Sequence, residues 1–148
     1  MKTRVLPPTV LLLAIMLMLG LHCLLPLRRI VSWPWRLLGI LPLILGVILN
    51  LSADRTFKRV DTTVKPFEKS QSLVTTSPFR FSRHPMYVGM TAIIIGLWLC
   101  LGTVTPLFVV PLFVLTMSII FIPAEEHMME KQFGDEYRTY CKRVRRWL

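Results

Sequence analysis

The chain has 148 residues, 53% hydrophobic and 18% charged, with a formal net charge of +10. That length suits one compact unit, and the composition is too apolar for an ordinary water-soluble domain, so a bilayer is the expected solvent. The excess of base accompanies no recognisable nucleic-acid module, which excludes a nucleic-acid partner and fits basic flanks facing anionic headgroups.

Four nearly uncharged windows, 9–25, 37–53, 87–103 and 105–123, approach the length of about 20 residues that spans a bilayer. The predicted fold is therefore all-α: an integral membrane helical bundle of about four transmembrane helices, one domain over 1–148. Lys2 and Arg4 give the first window the flank of a signal peptide, but no small-residue cleavage site follows, and the window reads as a retained helix. Arg28, Arg29 and Arg36 lie in the first short loop, and "WPW" (33–35) reads as an interfacial anchor. Pro42 and Gly46 are expected to kink the second span.

The polar stretch 54–86 is expected to be a loop without sustained helical periodicity, of the size that is usually disordered or functional. Seven basic residues lie from Asp54 to Arg83 and six from Lys131 to Arg146. By the positive-inside tendency these segments and the N-terminus face the cytoplasm, in a bacterial inner membrane or the endoplasmic reticulum. Three arginines in the loop between the first two spans run against that topology and are outnumbered. The third and fourth spans are separated only by "GTVT" and Pro106, the mark of a tight helical hairpin.

Beyond Pro123, Met129, Phe133, Tyr137, Tyr140, Val144 and Trp147 recur at spacings of three and four, one apolar stripe on a helix. Gly134 is expected to divide it, giving a C-terminal amphipathic segment, 124–148, that lies along the membrane surface or folds back as a lid over the ends of the spans. Cys23, Cys100 and Cys141 are too far apart for a disulfide framework or a metal site. His22, alone in a span, reads as a packed histidine, and His127 as a surface residue; neither is given a role.

Two clusters carry chemistry. "SRHPMYVG" (82–89) could be no more than a membrane-entry motif, and Glu125 and Glu126 could merely cap the following helix, for about 0.3–1 kcal/mol each. Yet carboxylates at the end of an apolar span need partners. An antiparallel hairpin brings the start of the third span and the end of the fourth to one level, so Arg83 and His84 should meet Glu125 and Glu126.

The ordered combination "SRHPMYVGM", an apolar hairpin, then "EEHMMEKQFGDEYRTYCKRVRRW" resembles the membrane methyltransferase superfamily of isoprenylcysteine carboxyl methyltransferases and phospholipid methyltransferases. The resemblance runs from about Pro78 to the end. It implies S-adenosylmethionine as cofactor at the cytoplasmic end of the last two spans, a lipophilic acceptor arriving from the bilayer, and no metal. Carried over by residue, it implies cofactor binding by Arg83, His84, Pro85, Tyr87, Gly89, Glu125, Glu126 and Tyr137, and catalytic roles for Glu126 and Arg143. The element "FGDEYRTYCKRV" matches the family at Phe133, Gly134, Glu136, Tyr137, Tyr140, Arg143 and Val144.

Prenylcysteine enzymes of this group commonly carry an arginine just upstream of the acid pair, where this chain has "FIPA" (121–124). The expected acceptor therefore widens from a prenylcysteine carboxylate to a phospholipid or small hydrophobic molecule. Two other classes compete: an NADPH-dependent membrane reductase of the sterol-reductase type, disfavoured by the short tail, and a non-catalytic membrane scaffold, which leaves the pairing of the two clusters a coincidence. Oligomeric state is not legible.

Overall fold

The computed structural model describes residues 6–59 and 73–148, and among these it is all-helical. Lys2, Arg4 and positions 60–72 of the expected loop lie outside the described residues. Helix α1 is Pro7–Leu24, opened by two prolines at positions where a missing amide costs nothing. A 3₁₀ turn, Trp35–Gly39, leads into α2, Ile40–Arg59. Helix α3 is Pro85–Leu101. The last apolar run is one continuous helical rod: a 3₁₀ turn Thr105–Phe108, α4 (Val109–Thr116), a π turn Met117–Phe121 and α5 (Ile122–Phe133). Helix α6, Asp135–Arg143, closes the chain.

Three rods, Pro7–Leu24, Trp35–Arg59 and Thr105–Phe133, are long and apolar enough to cross a membrane, and the fourth, α3, has 17 residues. Two expected boundaries move. Helix α2 runs past Ala53 because Lys58 pairs with Asp54 one turn earlier at 2.6 Å and Thr56 donates to the Ser52 carbonyl at 2.9 Å. The fourth span does not stop at Pro123. The Ile122 amide donates to the Met117 carbonyl, five residues back, and this wide turn accommodates the proline that follows, which has no amide of its own.

Helix α3 is the hub. One side packs against α1 and the fourth rod, where Ala14, Met18, Tyr87, Met90, Ile94, Val109, Phe113, Met117, Phe121 and Ile122 form a buried cluster. Its other side meets α2 backbone to backbone. Gly39 and Gly46 face Gly96 and Gly89, each pair spaced by seven residues. A Cβ at Gly39 would lie 2.5 Å from the Gly96 carbonyl oxygen, and one at Gly96 would lie 2.6 Å from that of Gly39. The reciprocal fit is the close approach that small residues permit between membrane helices. Helix α2 is continuous through Gly46, which lies on this contact surface, and Pro42 lies in the first turn of the helix, where the missing amide is tolerated.

Away from these two contact surfaces, apolar side chains point out of the bundle. Leu12, Leu13 and Met16 of α1, Ile44, Leu45 and Ile48 of α2, and Ile119 and Ile120 of the fourth rod are all exposed, the surface lipid would cover. His22 is hydrogen-bonded within the fold, as expected of a lone histidine in a span: its Nδ1 lies 2.9 Å from Oγ1 of Thr103, in the turn after α3.

Candidate functional site

The site stands where α3 begins and α5 continues past Pro123. Pro85 occupies the first turn of α3 and fixes its direction, and the amide of His84 donates to Ser82 Oγ at 3.1 Å. Across the hairpin, Glu125 and Glu126 ride on the extension of the fourth rod. The helical hairpin therefore brings the two clusters together, as span length alone predicted.

Arg83 Nη1 lies 3.0 Å from Glu126 Oε1, and the two side chains are only 15% and 14% exposed. His84 stands between the acids, its Nδ1 3.4 Å from Glu125 Oε2 and its Nε2 3.5 Å from Glu126 Oε1. Tyr87, one turn into α3, donates its hydroxyl to Glu125 Oε1 and stacks on His84, with ring centres 5.6 Å apart. Two buried donors remain without a hydrogen-bond partner among the described residues, Arg83 Nε and His84 Nε2. Buried polar atoms of this kind need a reason, and a ligand is one.

The tail completes the cluster. Gly134, with φ of +53°, ends α5 in a conformation that side chains disfavour and turns the chain into α6. Gly134 therefore does divide the apolar stripe. Tyr137 and Tyr140 are buried, and Tyr140 donates its hydroxyl to the Phe79 carbonyl at 2.6 Å, tying α6 to the stretch before Arg83. Burial raises the phenol of Tyr137 and pushes that of Tyr140 up to about 12, so both stay neutral donors.

After Arg143 the chain becomes extended at Val144 and returns to the site. The Arg83 amide donates to the Arg145 carbonyl at 3.0 Å and Ser82 Oγ to the Arg146 carbonyl at 3.2 Å. Arg146 then reaches Glu126, Nη2 to Oε2 at 2.5 Å and Nε to Oε1 at 3.2 Å. Of the two expected arrangements of the tail, it is the fold-back that is observed. Arg83, Glu126, His127, Glu130, Tyr137, Arg138 and Cys141, with Pro123, line an open cavity of about 400 Å³ beside this cluster.

Three of the residues named by resemblance have surroundings of their own. Arg143 is exposed and joins no ion pair with the cluster among the described residues, because the extended turn at Val144 brings Arg146 round in its place. Gly89 faces α2, where an added Cβ would meet Asn50 and the Gly46 carbonyl oxygen, so its smallness serves helix packing. Pro85 is buried at the helix start and does not line the cavity. Cys141, set aside above with the other cysteines, joins the cluster: Arg83 Nη1 donates to its sulfur at 2.7 Å, and its position four residues after Tyr137 on one helix face was the available signal.

Burial opposes the charge on both cations of the motif. Glu126, with smaller contributions from Cys141 and Tyr137, more than offsets it for Arg83, whose guanidinium is held above its ordinary value. The nearby carboxylates of Glu125 and Glu126 do the same for His84, raising it above 6.5. A raised imidazole contributes stability that is complete below its unfolded value and lost as pH climbs through the folded one. In detergent the thermal midpoint of the parent should therefore fall between pH 6 and 9 more steeply than that of His84→Gln; parallel profiles would remove this role.

An all-helical fold with three rods long and apolar enough to cross a membrane, and a charged pocket at one end of the bundle, defines an integral membrane protein with a polar site. The chain belongs to the phospholipid methyltransferase family, whose profile matches residues 35–136. It is similar to a protein of Haemophilus influenzae described only as uncharacterised, 40% identical over 63 residues, 43% of this chain and all of that one. It is also 31% identical over 108 residues to protein-S-isoprenylcysteine O-methyltransferase B of Arabidopsis thaliana, covering 72% of this chain and 55% of the relative. Among solved structures it resembles the eukaryotic intramembrane Ras methyltransferase, isoprenylcysteine carboxyl methyltransferase, with a TM-score of 0.66 and 25% identity over 95% of this chain and 51% of that one. The chain thus spans about half the length of these last two proteins.

Proposed function

We propose that the chain is a methyltransferase that uses S-adenosylmethionine and acts on a lipophilic acceptor held in the bilayer: a phospholipid, an isoprenylcysteine carboxylate or a small hydrophobic molecule. The observation that carries the reading is the meeting of Arg83 and His84 with Glu125 and Glu126 beside a cavity, with two buried donors left unsatisfied. Family membership and the likeness to methyltransferases support it.

The donor set fits the cofactor. Arg83, with its free Nε, would take a carboxylate; Glu125 and Glu126 would take ribose hydroxyls or the ammonium group; Tyr137 would offer an aromatic face to the sulfonium. His84 and Tyr87 act by positioning, since they clamp Glu125 between an imidazole and a phenol. Bound, the cofactor supplies an electrophilic methyl group for in-line displacement, and what the chain adds is orientation and exclusion of water.

Arg146 takes the part that resemblance gave to Arg143. It is 44% exposed while Glu126 is 14% exposed, so its ion pair is the outer bond of the cluster, on the solvent side of Glu126. The site, the N-terminus, the 54–86 segment and the tail face the cytoplasm in this reading, so that a water-soluble donor and a lipid-soluble acceptor reach one place from different phases.

Calorimetry on the purified full chain in detergent tests the reading: saturable binding of S-adenosylmethionine and of its demethylated product is expected. Stabilisation by NADPH alone would instead favour a reductase, and absence of binding to either would leave a scaffold.

A further inference from the structure

The far end of the bundle holds a second polar assembly that the proposed reaction does not use. Helix α3 separates it from Glu126 by 17 residues, which at the helical rise amounts to about 25 Å. There the loop before α2 is tied to the turn after α3. Ile30 and Val31 donate their amides to the Gly102 carbonyl at 2.9 and 3.2 Å, and the Val104 amide donates to the Arg28 carbonyl at 3.2 Å. Arg29 and Thr103 face each other as an isolated antiparallel bridge.

Arg36 is anchored at the same spot. Its Nε donates to the Val31 carbonyl at 3.0 Å, and it lies so close to Gly102, whose φ is +71°, that a Cβ there would come within 2.5 Å of that nitrogen. The other side of the turn is braced by Trp98 Nε1, which donates to the Thr103 carbonyl at 3.1 Å. Three arginines are therefore gathered on a backbone held by hydrogen bonds, where a floppy loop would have scattered them.

Among the described residues they pair with no acid. Neither 1–53 nor 84–124 contains an Asp or Glu, and among the described residues none of the three enters an ion pair. Arg28 and Arg29 are exposed. Around them Trp33 and Trp35 are 73% and 64% exposed, and Leu24, Leu27 and Ile30 also present apolar surface. Unpaired cations at the level of an aromatic belt suit a ligand that is anionic at one end and apolar at the other.

We propose that this end of the bundle binds the phosphate of an anionic phospholipid. Arg28 and Arg29 contact the phosphate oxygens, for which the guanidinium fork is suited. Arg36 fixes the loop, and Trp33 and Trp35 lie at the glycerol level of the bilayer. The site is independent of the methyl-transfer site and depends on the fold alone.

Native mass spectrometry of the full chain in a neutral detergent, doped with phosphatidylglycerol or phosphatidylcholine, reads this directly. The parent should retain phosphatidylglycerol in preference to phosphatidylcholine. The double variant R28A/R29A should weaken retention about tenfold or more, given roughly 1 kcal/mol for each basic residue at a membrane surface. The control K58A/K142A, which removes as much charge elsewhere, should leave it unchanged, and circular dichroism should show both variants folded. Equal loss in the control, or equal retention of the two lipids, would overturn the proposal. So would displacement by millimolar inorganic phosphate, because the site would then hold the anion without the lipid.

Discussion

Replacing Glu126 by glutamine is expected to abolish measurable binding of S-adenosylmethionine. The substitution keeps the shape of the side chain and removes the charge that Arg83, Arg146 and His84 all face. Hydrogen bonds to charged groups contribute about 1.5–3 kcal/mol each, so losing even one from the ligand costs about tenfold to a hundredfold in affinity. A second cost falls on Arg83, which is 15% exposed and has no other ion-pair partner among the described residues. Leaving a buried cation unpaired is destabilising by several kcal/mol in general, on the order of 3–5.

The two costs separate experimentally. Calorimetry reads the affinity, while gel filtration and circular dichroism read the fold at the same detergent concentration. A folded E126Q protein that binds the cofactor as tightly as the parent would sink the assignment of Glu126. Arg146→Ala is the milder companion: its partner remains paired to Arg83, so the fold should hold and affinity should change by less than in E126Q.

Adding one methyl group at Gly46 is expected to destabilise the protein strongly, although alanine is the better helix former. Placed there, a Cβ would lie 2.9 Å from the Ile93 amide nitrogen and closer still to the Gly89 carbonyl oxygen, both backbone atoms that cannot step aside alone. Helices α2 and α3 would have to separate, at a cost of about 1–3 kcal/mol or more for overpacking. Gly20 supplies the control, because nothing lies within 4 Å of a Cβ built on it in α1. Gly20→Ala should be neutral or stabilising by up to about 1 kcal/mol. Thermal unfolding in detergent of the two variants side by side decides the matter: opposite signs are expected, and equal midpoints would show that the seam between α2 and α3 is looser than its geometry implies.

What the amino-acid sequence determined by itself follows from local rules. Four apolar windows, the break at Gly134, the apolar stripe around it and the bonded histidine at position 22 depend on residue type and on the helical period. So does the meeting of Arg83 and His84 with Glu125 and Glu126, since a hairpin of two similar spans returns the chain to the level it left. The helix that survives Pro123 and the extra turns of α2 beyond Ala53 were hidden by rules that weigh a proline or a charge without its neighbours: a π turn absorbs the first, and an i,i+4 ion pair supports the second.

Only the tertiary structure decided which residues of the tail reach the site. Whether Arg143 or Arg146 pairs with Glu126 depends on the direction in which the chain leaves α6, and that is set at Val144 by contacts with Ser82 and Arg83 some sixty positions earlier. The same holds for the glycines. Their spacing of seven is visible in the chain, but whether Gly46 bends a helix or receives a neighbour depends on what packs against it, and here it is the backbone at Gly89. Periodicity is a property of one segment, whereas contact between segments depends on how they are brought together.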